Sequence, residues 1–139
     1  MNMKSIIDIA LIANGIYDIL CASSILWLYK IPGFTQLSKL HPMMFEKKEN
    51  YDNPVIKRLL SYWLITEGSV RIIAGCYRNI GLDIAASFTY FIEAFCFEYE
   101  NRIGLTMVRS KVMFVSIVSI IMGIWILLRP FGIYDKINI

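Results

Sequence analysis

The stretch WLITEGSVRIIAGCY, Trp63 to Tyr77, decides how this chain is read. Its body is apolar enough for the interior of a bilayer, yet it carries Glu67 and Arg71 one helical turn apart. A lone charge at the centre of a membrane helix costs about 2.5–3.5 kcal/mol on insertion scales, so both groups are expected to face inward and find partners. At i and i+4 they stand in the favourable acid-before-base order.

Outward from this stretch the composition agrees. The chain has 139 residues, of which 57% are hydrophobic and only 18% charged, below the quarter usual for soluble domains. A bilayer core of about 30 Å needs roughly 20 helical residues. Four segments meet that length: Ile6–Leu28, Leu59–Tyr77, Leu82–Tyr99 and Ser110–Leu128. The expectation is an all-α membrane protein, residues 1–139 forming one four-span bundle. Asn53-Pro54 reads as the start of the second span. The short RNIG connection, Arg78 to Gly81, makes spans two and three an antiparallel hairpin. The first apolar run is longer than a signal-peptide core and reads as a retained span.

Lys and Arg outside the spans number nine in the two longer loops: Lys30, Lys39, Lys47, Lys48, Lys57, Arg58, Arg102, Arg109 and Lys111. The other side carries four, Lys4, Arg78, Arg129 and Lys136. The positive-inside rule then puts both termini on the non-cytosolic face. In the first loop Phe34, Leu37, Leu40 and Met44 recur at helical spacing, which suits either a short interfacial helix or a loop packed on the bundle.

Depth can be counted along antiparallel spans. At the helical rise, Asp18, Glu67 and Glu93 all lie about 15–18 Å from the same face, with Arg71 one turn away. Three acids around one arginine predict a buried charge network of Asp18, Glu67, Arg71 and Glu93. Ala10, Asn14, Asp18 and Ala22 make a small-and-polar stripe on span one, and Ser119 with Gly123 a small-residue pair on span four, both suited to close helix approach.

Much chemistry is missing. The net charge of +3 is too dispersed for nucleic acid, and Cys21, Cys76 and Cys96 form no CxxC pair and read as small buried hydrophobes. His41 is the only histidine and lies in a loop. No metal site, cofactor motif, phosphate-binding glycine loop or nucleophile–base pair stands out, so no catalytic residue is assigned.

The second half, from Asn53 to Leu128, resembles the ergosterol-biosynthesis scaffold family. Arg58, Trp63 and Arg71 carry the likeness, followed by Asn79 and Leu82 in the turn, Thr89-Tyr90, and then Phe97 and Glu100. Cys96 stands where the family has histidine, and Glu67 and Glu93 are additional charges. The resemblance implies four spans, residence in the endoplasmic reticulum, and a tethering role in sterol C4-demethylation, with Trp63 and Thr89 among the packing positions. The leading expectation is thus a non-enzymatic scaffold in lipid metabolism, with membrane lipid and partner membrane proteins or a second copy as its contacts. The alternatives are a lipid isomerase-like enzyme using a buried carboxylate and an accessory subunit of a virion or organellar membrane assembly.

Overall fold

The computed structural model describes residues 3–47 and 52–131. Lys48 and Lys136, which enter the charge count, lie outside the described residues. Among the described residues there are five α-helices: α1 Met3–Ser23, α2 Phe34–Leu40, α3 Pro54–Cys76, α4 Ile80–Tyr99 and α5 Arg109–Leu127. The ends of α1 and α4 widen into single π-type turns, Ser24–Leu28 and Glu100–Gly104.

Helix starts follow local chemistry. Asn53 caps α3 by accepting from the Val55 amide at 2.8 Å, and Pro54 supplies a preset φ at the first position. Asn79 caps α4 in the same way through the Gly81 amide, also at 2.8 Å. The connection between these helices is therefore only three residues, 77–79.

Among the described residues three helical segments are long and apolar enough to cross a membrane: Ile6–Leu28, Ile80–Gly104 and Arg109–Leu127. This is the signature of a membrane protein. The helix α3 is 23 residues long, but Glu67 and Arg71 in its middle hold its hydropathy below that of the others.

The hairpin expectation is corrected in one respect. The sequence-adjacent α3 and α4 touch lightly, whereas the close pairs are α1 with α3 and α4 with α5. Glycines explain the pairing. A Cβ on Gly15 would meet the Gly68 carbonyl at 2.5 Å, and one on Gly75 would meet Ile12 at 2.6 Å. Backbones at such range admit no side chain between them. On the other pair, Gly123 lies under the Phe91 ring, and the Ser87 hydroxyl donates to the Gly123 carbonyl at 2.7 Å.

The first loop contains a short helix that packs on the bundle. Phe34–Leu40 is a short helix, and Leu37 packs against the buried Cys21, Ala22, Ile25 and Leu64. Further on, Met44 is buried with Met107 and Val112. The two longer loops are stitched together by Glu46 N donating to Thr106 O at 2.7 Å and Val108 N donating to Met44 O at 2.8 Å.

The cysteines divide. Cys21 is buried as expected, Cys96 is half-buried, and Cys76 is exposed because α3 ends there and the chain turns away.

Candidate functional site

Arg71 is the largest fully buried side chain, 1% exposed. It projects from α3 between the other long helices, which is why three elements can address it. Its Nη1 donates to Asp18 of α1 at 2.6 Å and its Nη2 to Glu93 of α4 at 2.8 Å. Glu67, a turn earlier on the same helix, accepts from Nη2 at 3.4 Å. The Thr89 hydroxyl accepts from Nε at 3.2 Å and donates to the Ala86 carbonyl. The guanidinium carbon sits 3.9 Å from the centroid of the Tyr90 ring, a cation–π contact.

The outer partners extend this centre to the fourth long helix. Ser119 on α5 donates to Glu93 at 3.1 Å, and Asn14 donates to Asp18 at 3.3 Å. Gly123 and Ala22 lie in helix contacts above and below. Trp63 is more than a third exposed, on a groove shared with Leu59, Phe45 and Met107. Asp18, Glu67, Arg71 and Glu93 thus meet in one cluster, as the depth count from the helix ends leads one to expect.

A second ionic centre occupies the other end of the bundle, and sequence reading missed it. Arg129, counted there as a loop charge, is only 5% exposed. It binds Asp83 at the start of α4 with two nitrogens, Nε at 3.0 Å, and also reaches Asp8 of α1 and the Ala74 carbonyl of α3. Burial alone would lower the Arg129 pKa, but the two carboxylates outweigh it and the net direction is upward. Arg78, half exposed, adds a bond to Asp8 at 2.9 Å. The signal was available: Asp8, Asp83, Arg78 and Arg129 all fall within a few residues of the same span ends.

The α1 and α5 helices make little direct contact. Between them lies a cavity of about 670 Å³. Its inner wall includes Asp18, Arg71, Tyr90, Glu93 and Ser119, while Phe114, Val115 and Val118 make an apolar side. Leu40, His41, Met44 and Lys111 stand at its loop end. Ala10 and Asn14, expected in a helix-packing stripe, line this cavity instead. The stripe splits because Gly15 and Gly68 set the α1–α3 contact on the neighbouring face.

His41 and Tyr17 have ring centroids 5.9 Å apart, and the buried Nδ1 of His41 has no hydrogen-bond partner among the described residues. Burial, with Arg71 adding to it against Glu93, lowers the His41 pKa from its ordinary value and favours the neutral ring. Among the described residues no group of three His, Cys, Asp or Glu side chains is arranged to hold a metal ion.

No family model, curated protein or solved structure matches this chain, so a functional reading rests on the site itself.

Proposed function

We propose that the protein is a four-span membrane scaffold with no turnover of its own, holding partner membrane proteins or a second copy of itself. The observation that carries the reading is the closure of Arg71. Its donors go to Asp18, Glu67, Glu93 and Thr89, so the interior charges are spent on joining α1, α3 and α4. A lipid-converting enzyme needs a carboxyl free to pass a proton to a bound substrate. Glu67 does not line the cavity, and Asp18 and Glu93, which do, are both tied to Arg71.

The fourth span is α3. It runs beside α1 from Leu64 near Cys21, through Gly68 against Gly15, to Gly75 against Ile12 and Asp8. Where α1 crosses a bilayer, a partner packed along that length crosses with it, and its charges are then hidden from lipid.

Faces suited to partners remain. On α4, Ile84, Phe88, Ile92, Phe95 and Tyr99 follow one another at three- and four-residue steps and are all exposed. Such a stripe suits a neighbouring helix or lipid. The pattern from Arg58 to Glu100 supports a sterol- or lipid-metabolic setting in the endoplasmic reticulum.

The test is the double variant Glu67→Gln with Glu93→Gln, which preserves hydrogen bonding while removing carboxylate proton transfer. A scaffold keeps its co-purifying partners in mild detergent, and its cellular activity is unchanged. Loss of a measurable lipid conversion with partner binding intact contradicts the proposal and favours an enzyme.

A further inference from the structure

The cavity between α1 and α5 holds an unmet polar group. Tyr90 forms part of its wall and is 3% exposed, and its buried hydroxyl has no hydrogen-bond partner among the described residues. An unmet buried hydroxyl costs on the order of a hydrogen bond, and a buried polar atom without a partner points to a group that the protein chain does not supply.

The surroundings restrict what that group can be. Asp18 and Glu93 share the wall, and each carboxylate offers up to four acceptor positions. Arg71 occupies Asp18 Oδ2 and Glu93 Oε2, with Asn14 and Ser119 on the same two atoms. The partner oxygens, Oδ1 and Oε1, have no bond to Arg71.

An anionic head would add a charge beside three acids already sharing one arginine. An ammonium head has donors only, so it leaves the Tyr90 proton unmet. A hydroxyl head does both jobs: it accepts from Tyr90 and donates to a carboxylate. Phe114, Val115, Val118 and Met44 give the cavity an apolar side, with His41 and Lys111 at its loop end. From Lys111 to Met122 the α5 wall spans about 16 Å at the helical rise.

We propose that the α1–α5 cavity binds an uncharged amphiphile, its hydroxyl head between Tyr90 and the Asp18–Glu93 carboxylates and its apolar body along α5 toward Met44. The lipid class is a long-chain or polycyclic alcohol. The proposal is independent of the scaffold reading, since binding is measured on the purified chain and partner capture can fail without touching it.

The test uses the purified full chain in detergent and four probes: oleyl alcohol and cholesterol as hydroxyl amphiphiles, oleylamine and oleate as charged ones. Binding is read as saturable stabilisation against heat. The expected result is that the better hydroxyl probe binds at least about tenfold more tightly than either charged probe. Tyr90→Phe, which keeps the ring beneath Arg71, weakens that binding by about tenfold, the scale of one hydrogen bond. Ala13→Trp fills the cavity from α1 and abolishes binding, so the cavity is tested even should Tyr90→Phe lower the folded yield. Equal or tighter binding of a charged probe, no saturable binding of either alcohol, or undiminished binding in Ala13→Trp overturns the proposal. A well-folded Tyr90→Phe that binds like the parent overturns it as well.

Discussion

Arg71 and Asp18 are joined at 2.6 Å across 53 residues of chain, with side chains 1% and 5% exposed. That bond ties α1 to α3 at the depth where Glu93 ties α4 to the same guanidinium. Removing one partner of a buried pair strands a charge, whereas exchanging the whole set for neutral groups is often tolerated. The asymmetry makes the interior charges separable by experiment from the glycine contacts beside them.

The glycine contacts predict a graded response. Gly15→Ala places a methyl 2.5 Å from the Gly68 carbonyl, where only backbone movement gives relief. It is expected to cost about 1–3 kcal/mol, as overpacking does in tight interiors. Gly81→Ala meets only the Asn79 side-chain oxygen, at 3.2 Å, and should change stability little. Thermal denaturation of the two variants side by side checks this; equal losses would mean that the α1–α3 approach is not what the glycine is for.

At the other end of the bundle, Arg129→Leu leaves Asp83 buried without its guanidinium and should destabilise by about 3–5 kcal/mol. Arg78→Ala removes a half-exposed member of the same cluster and should cost less than about 1 kcal/mol. Comparable effects from the two would show that Arg129 is not the residue that closes this end.

His41 supplies a pH dependence. Burial lowers its pKa in the folded state, so the unfolded chain binds the proton more readily. Stability therefore falls as pH drops through the ordinary histidine value near 6.5. Melting curves between pH 7.5 and about 5.5 should show that loss in the parent and a smaller one in His41→Gln. A steeper loss in the variant would reverse the assignment.

Topology is tested by labelling. In a background without Cys21, Cys76 and Cys96, single cysteines at Lys47 and Asn138 should react from opposite sides of sealed vesicles. Reaction of both from one side contradicts a four-span chain, and exchanged sides contradict only the orientation drawn from Lys and Arg.

The helices and the central network were legible because two simple periodicities carry them. Apolar length gave α1, α4 and α5, and counting depth from the span ends brought Asp18, Glu67, Glu93 and Arg71 to one level. The pairing of helices was not legible. Gly15, Gly68 and Gly75 meet across α1 and α3 through rotational phase, which depth counting does not fix. The same gap placed Ala10 and Asn14 in a helix contact when they line the cavity. Arg129 was misread because a charge just past a span looks like a loop residue until Asp8 and Asp83 are seen converging on it. The Tyr90 hydroxyl carries no sequence signal, since only the arrangement of neighbours leaves it unmet.

The most direct test of the account is the stability of Arg71→Met against the combined Asp18→Asn, Glu67→Gln, Arg71→Met and Glu93→Gln variant, measured by thermal unfolding in one detergent. The single variant strands three acids and is predicted to lose about 3–5 kcal/mol, while the combined variant, with no charge left to compensate, recovers most of it. A single variant as stable as the parent, or a combined variant no better than the single one, would contradict the claim that Arg71 joins the bundle through its acids.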